Sequence, residues 1–122
     1  MIPRSAAIAL SVAWSLDGSA IVVGYADGRA VVYNASTRNV QYLLKHNGAV
    51  HSVAWKPDSS AATPILVSGA ADGTVNLWNL AKGSQIIYSG HSDAVLAVTW
   101  GTNLVASASK DRTAILWQQP TF

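Results

Sequence analysis

Cysteine is absent from the 122 residues, which excludes disulfides and thiolate zinc sites and leaves the cellular compartment open. Glutamate is absent too, so all six acidic residues are Asp. Charge is sparse: 11% of residues are charged, the net charge is +2, and the eight Lys and Arg are scattered along the chain. Such a small, dispersed excess makes no case for nucleic-acid or anionic-membrane binding. No apolar run approaches the roughly 18 residues of a spanning helix. There is no P-loop and no Gly-x-Gly-x-x-Gly phosphate cradle. What the chain does have is apolar mass: half of its residues are hydrophobic, enough to bury the core of one ordinary domain and too much for a disordered chain.

The most informative stretch is Ala71-Asp72-Gly73-Thr74-Val75-Asn76-Leu77-Trp78-Asn79. Asp-Gly is a tight-turn signal, because Gly accepts positive φ freely and Asp accepts it better than most residues. The alternation from Thr74 to Trp78 is strand periodicity. Asp27-Gly28 leading to Tyr33, and Asp111-Arg112 leading to Trp117, repeat the frame, with six positions from Asp to aromatic each time. Upstream of each turn lies a second recurring segment, ending at Trp14, Trp55 and Trp100. These three lie 41 and 45 positions apart, while Tyr33, Trp78 and Trp117 lie 45 and 39 apart. Periods of this size with short strands mark a propeller array.

The frame predicts strands at about 7–14, 20–25, 29–34 and 39–45, then 49–55, 65–70, 74–79 and 84–89, then 94–100, 103–108 and 112–117. The total is eleven, with no helix longer than a turn. Blade one spans about 5–45, blade two about 46–90 and blade three about 91–122. Gln118-Gln119-Pro120-Thr121-Phe122 is short and carries Pro, so blade three lacks its outer strand. Arg4 followed by Ala6-Ala7-Ile8-Ala9-Leu10 has the look of a short signal peptide, but it fits the repeat and reads better as a buried strand. Asn47-Gly48 has the look of a hairpin turn, and the frame makes it the crossing between two blades. Asn34-Ala35-Ser36 matches the glycosylation acceptor pattern and reads better as a turn. Trp14, Trp55 and Trp100 are expected to fill the space between blades.

Together these residues resemble the WD-repeat family of β-propellers. The resemblance rests on Gly90-His91, Ser107, Asp111 and Leu116-Trp117 in the third unit, and on His46, Ser68, Asp72 and Leu77-Trp78 in the second. Lys45 replaces the Gly before His46, and Asn79 and Gln118 replace the Asp after each Trp. The first unit is degenerate, with Ser5, Val23 and Tyr33 at the His, Ser and Trp positions and Asp27 kept. The fold implied is all-β: three four-stranded blades, the last lacking its outer strand, forming a partial propeller or half of an oligomeric ring. The family also implies a hydrogen-bonded network of His, Ser, Asp and Trp inside each blade. Ser68 is expected to accept from the Trp78 indole and pass its proton to His46, with Asp72 ending the chain; a buried donor left unpaired costs about 1–3 kcal/mol.

Ser68, His46 and Asp72, or Ser107, His91 and Asp111, are also the residue types of a hydrolytic triad. The set occurs twice in one repeat frame and no nucleophile elbow surrounds either Ser, so the structural network is the better reading. His46 and His51 are five apart on an extended segment and point to opposite faces, which argues against a metal. The chain is therefore read as a non-enzymatic scaffold without cofactor or metal, intracellular and cytoplasmic. It binds other proteins, not nucleic acid or membrane, through the loops holding Asn47, His51, Asp93, Leu96 and Lys110. Ala26 and Ala71 stand where Lys110 does in blade three. A glycan, phosphoinositide or nucleic-acid reader is the alternative. Three blades leave two open sides, so self-association or the remaining blades of a longer propeller should complete the ring, and a closed monomer is not expected.

Overall fold

Six-residue runs of β-branched, aromatic and small apolar residues alternate with turns built on Gly, Asp, Asn and Ser, and the backbone follows that punctuation. The computed structural model describes residues 1–2, 4–60, 62–101 and 103–118. It contains eleven strands: β1 Ala9–Trp14, β2 Ala20–Tyr25, β3 Arg29–Asn34, β4 Val40–Lys45, β5 Val50–Trp55, β6 Ile65–Ala70, β7 Thr74–Asn79, β8 Ser84–Ser89, β9 Val95–Trp100, β10 Leu104–Ser109 and β11 Ala114–Gln118. They form three antiparallel sheets in plain chain order, β1-β2-β3-β4, β5-β6-β7-β8 and β9-β10-β11. The eleven strands and three sheets match the sequence expectation. Among the described residues no helix is long and apolar enough to cross a membrane.

The turns obey local chemistry. Asp17, Asp27, Asp72 and Asp111 each accept the backbone N–H two residues on, the Asx geometry that makes a turn self-supporting. Gly28 and Gly73 lie at φ +96° and +87°, in the left-handed region that costs Gly nothing. Arg112 takes the same place in blade three at φ 73°, a strained conformation for a side chain with a Cβ. Asn34 Oδ1 accepts the N–H groups of Ser36 and Thr37, so the acceptor-like triplet is a turn. Asn47-Gly48 carries the chain from β4 in one sheet to β5 in the next.

Blades stack face to face. Val22, Ala30, Val32 and Leu44 of blade one meet Val50, Val53, Leu66 and Trp78 of blade two. The opposite face of blade two, Val67, Val75 and Leu77, meets Val95, Val98 and Val105 of blade three. Each Val or Leu among them contributes about 1.5–3 kcal/mol when fully buried. Gly24 and Gly69 permit the close approach. A Cβ on Gly24 would lie 2.7 Å from the Val50 carbonyl oxygen, and one on Gly69 would lie 2.6 Å from Val95 Cγ1. Polar links across the joints are few. Trp55 donates its indole N–H to the Ala13 carbonyl at 3.1 Å, and Ser52 Oγ accepts the Val98 N–H at 3.0 Å.

One packing expectation is overturned. Trp14 does not fill a space between blades, because it is 65% exposed. Its repeats Trp55 and Trp100 look back onto the preceding blade, whereas no described element lies on that side of β1. The mirror case is Leu116, 70% exposed, whose counterpart Leu77 is fully buried against blade three.

Candidate functional site

One rim of the array gathers the turns between the second and third strands of each blade and the crossings from blade to blade. Backbone bonds lock them together. His46 N–H donates to the Gly28 carbonyl, Ala71 N–H to Ala49, and Lys110 N–H to Ala94. Ser109 Oγ donates to the carbonyls of Asp93 and Ala94. Asn47, Asp93, Leu96 and Lys110 are exposed on this rim, and His51 is half-buried. Asp93 lies in the crossing into blade three and Lys110 in the β10–β11 turn beside it, while Asn47 lies in the crossing into blade two and His51 at the start of β5. Asp93 Oδ1 accepts the N–H of Ala94, which shapes its own loop.

A bulge that the residue pattern does not signal recurs at the rim end of every inner strand. The register skips one residue between Ala9 and Ser11, between Val50 and Ser52, and between Val95 and Ala97. The extra residues are Leu10, His51 and Leu96. A bulge breaks the alternation and re-aims one side chain. Leu10 and Leu96 are accordingly 40% and 46% exposed, Leu96 next to the fully buried Val95.

Beneath the rim lie the polar networks. In blade three Trp117 donates its indole N–H to Ser107 Oγ at 2.8 Å, and Ser107 Oγ lies 2.7 Å from His91 Nε2. His91 Nδ1 lies 3.0 Å from Asp111 Oδ2, which also accepts the Ser92 N–H. The Thr113 hydroxyl and N–H bind the other oxygen. A carboxylate only accepts, so Nδ1 carries the proton and Nε2 accepts from the Ser107 hydroxyl. Asp111 is thereby held well below the usual carboxylate range, with the Thr113 hydroxyl contributing most, burial opposing, and Ser92 and His91 assisting.

Blade two departs from this pattern. Trp78 donates to Ser68 Oγ at 2.9 Å, and Ser68 Oγ lies 2.6 Å from His46 Nε2. Yet His46 Nδ1 lies 3.1 Å from the Gly28 carbonyl, in the preceding blade, and makes no hydrogen bond to Asp72. Asp72 binds only the Thr74 N–H and hydroxyl. The expected end of the chain is therefore replaced: a carbonyl of the neighbouring turn already occupies the Nδ1 proton. His46 thus joins blades one and two. Asp27 is in no such network either. It pairs with Arg29 Nε at 2.8 Å, Arg29 Nη2 donates to Ser5 Oγ, and the hydroxyl of Tyr33, at the Trp position, lies 2.7 Å from that of Tyr25.

Burial depresses the His46 pKa below its ordinary 6.5, with the Gly28 carbonyl and Asp72 opposing it. The sign follows. Above pH 6.5 both folded and unfolded chains carry neutral His46 and its contribution is complete; below 6.5 the unfolded chain takes the proton first, so stability falls until the lower folded pKa is passed. Urea unfolding should therefore show a lower midpoint at pH 5 than at pH 7, and His46→Gln should remove that difference while lowering both midpoints. Asp111 contributes stability of the same sign in a lower window, complete above pH 3.8 and lost as pH falls below it.

The triad residue types cannot meet a substrate where they lie, since Ser68 is fully buried and Ser107 is 2% exposed. Among the described residues no three His or Asp side chains are grouped to hold a metal ion. A cleft of about 320 Å³ opens between blades one and two at the end away from the rim, lined by Asp17, Tyr42, Trp55 and Ser59 among others.

Comparison with known proteins follows the same frame. The family described as "WD domain, G-beta repeat" matches residues 38–79 and 83–118. The chain is 36% identical over 110 residues to Elongator complex protein 2 of Danio rerio, covering 82% of this chain and 13% of that protein. It is 31% identical over 114 residues to the poly(A)+ RNA export protein of Schizosaccharomyces pombe, covering 92% and 32%. It is 35% identical over 80 residues to THO complex subunit 3 of Arabidopsis thaliana, covering 59% and 24%. The chain spans about a third or less of the length of each.

Proposed function

The chain belongs to the WD-repeat family, and on that premise we propose that it is a non-enzymatic module of a protein–protein interaction scaffold, binding partner peptides or domains through its rim. The observation that carries this reading is the recurrent bulge. A bulge costs ladder hydrogen bonds, and bulges concentrate where a side chain must be re-aimed beside a functional surface. Here the bulges present Leu10, His51 and Leu96 on a rim whose backbone is fixed by Gly28, Gly73 and Ser109. Rigid backbone with exposed, varied side chains is what a recognition surface needs. The names of two relatives, an Elongator complex protein and a THO complex subunit, describe members of multi-protein complexes, which supports the same reading.

Two further surfaces are open to company. The β1 face carries exposed Val12 and Trp14, and the far face of blade three carries exposed Leu104 and Leu116. Both repeat faces that are buried between blades inside the array. We place further blades there, supplied by the same protein or by a second copy. Light scattering of the isolated chain should report a species larger than one chain, and a stable monomer would count against self-association.

The rim reading is tested with Asp93→Ala, Leu96→Ala and Lys110→Ala combined. All three side chains are exposed and Asp93 bonds only its neighbour Ala94, so the thermal midpoint should fall by only a few degrees while the fold is kept. Cross-linking in cells should then recover fewer protein partners than the parent chain does. Unchanged recovery would remove the rim from the function. Recovery of RNA in place of protein would favour the nucleic-acid alternative, which the RNA export relative keeps in view.

A further inference from the structure

Three of the four arginines, far apart in the sequence, line one cavity. Arg4, Arg29 and Arg38, with Ser5, Asp27 and Val40, surround a hollow of about 570 Å³ on the outer part of blade one. Taking Asp27 as ionised, the lining carries a net charge of +2, three arginines less one aspartate. Arg29 is held in place. Its Nε donates to Asp27, its Nη2 donates to Ser5 at 2.6 Å, and its guanidinium lies 4.7 Å from the Tyr25 ring centroid. These bonds leave further N–H groups of the fork for a ligand. Arg4 and Arg38 are exposed.

The same hollow recurs in blade two, where Lys45, His46, Asp72, Thr74 and Gln85 line about 280 Å³. These are the repeat counterparts of Arg4, Ser5, Asp27, Arg29 and Val40. Two consequences follow. The hollow in blade two stays open although blade one is packed beside it, so a neighbouring blade does not close this kind of cavity. And the charge is particular to blade one, because Lys45 and Asp72 cancel in blade two. In blade one Ser5, Val23 and Tyr33 stand where the network's His, Ser and Trp stand in blade two, Tyr33 is buried, and Arg29 replaces Thr74 beside the Asp.

We propose that this cavity is a binding site for an acidic, extended peptide segment of a partner protein. Guanidinium groups around a concave site fit carboxylates by paired, charge-assisted hydrogen bonds. Val40 of the lining opens β4, an edge strand paired only with β3, whose free backbone groups can take an added strand. A nucleic-acid backbone or a membrane surface calls instead for a stripe or field of positive charge, and of the remaining cations only Lys45, opposite Arg29 across the β3–β4 ladder, adjoins the cavity. The proposal rests on the scaffold reading and names the chemistry of one partner segment.

Fluorescence anisotropy of a labelled hexaglutamate peptide with the full chain tests it, with a hexaglutamine peptide as the uncharged control. Hexaglutamate should bind, hexaglutamine should not, and binding should weaken as salt rises. Arg4→Gln with Arg38→Gln should weaken binding by about tenfold or more, with an unchanged thermal midpoint. Lys56→Gln with Lys82→Gln, the same change in charge away from the cavity, should leave it intact. Equal loss in both pairs would overturn the proposal, as would failure of hexaglutamate to bind. So would stronger binding to phosphatidylserine vesicles or to polyadenylate than to the peptide. Rim function is scored separately by the Asp93, Leu96 and Lys110 variant, so the two readings fail independently.

Discussion

Ser68→Ala should cost about 2–4 kcal/mol of stability, against the few tenths typical of an exposed Ser. The reason is what the change leaves behind. Ser68 Oγ is the only acceptor for the Trp78 indole N–H and the only donor to His46 Nε2. Without it, one buried donor and one buried acceptor lose their partners, at about 1–3 kcal/mol each. Water cannot easily replace the hydroxyl, since Ser68 is fully buried and Trp78 is 9% exposed. At about 4 °C per kcal/mol for a chain of this size, the thermal midpoint should drop by roughly 8–16 °C. Asp72→Ala is the comparison. Asp72 binds only Thr74, so its loss should cost about 1 kcal/mol, the worth of one turn or cap. Asp111→Ala should cost more, because Asp111 binds Thr113, Ser92 and His91. Calorimetry of the three variants decides the matter; equal losses for Asp72 and Asp111 would overturn the distinction between the two networks.

Gly24→Ala should destabilise by about 2–3 kcal/mol, the upper part of the range for overpacking. The sign is the informative part. In a strand, Ala is ordinarily favoured over Gly by roughly 0.5–1 kcal/mol. At Gly24 the added Cβ would meet Ser11 Oγ at 2.5 Å, the Val50 carbonyl oxygen at 2.7 Å and Val50 Cγ1 at 2.8 Å. A carbonyl held in the next blade cannot rotate aside, so the blades must part. Gly69→Ala meets only side-chain atoms of Val95 and Val98 and should cost less. The counterpart in blade three is Ala108, exposed in β10 with no described blade against it, so Ala108→Gly should cost only the ordinary strand preference of roughly 0.5–1 kcal/mol. Urea unfolding of the three variants gives the order directly. A neutral Gly24→Ala would mean that the joint between blades one and two is looser than its contacts indicate.

Most of the architecture was legible in local chemistry. Alternation and the Asp-Gly turns placed β2, β3, β6, β7 and β8, because these strands are fixed by their own residues. The inner strands start two residues later than expected at β1 and one later at β5 and β9, where the bulges end the regular pairing. The partners of Ser68 and Ser107 could be read from the repeat frame, since that frame places His, Ser and Trp on adjacent strands of one sheet. The exchange of Asp72 for the Gly28 carbonyl could not, because it is set by how close the neighbouring turn lies, and backbone carbonyls carry no residue code. Trp14 misled for a related reason: its type says how well it could fill an interface and nothing of whether one is there. Dispersed arginines looked inert in the sequence, and only the folding of residues 4, 29 and 38 around one blade gives them a shared field.

The plain chain order of the sheets bears on how this protein is made. Every ladder joins strands that are consecutive in the chain, so each pairing closes a short loop and carries little closure entropy. Low contact order of this kind favours rapid folding among β proteins. Each sheet can assemble as soon as its strands leave the ribosome, before the next has been synthesised. The bond from His46 to the Gly28 carbonyl would then act as a relay, since a finished first blade presents the acceptor that the second blade's histidine needs.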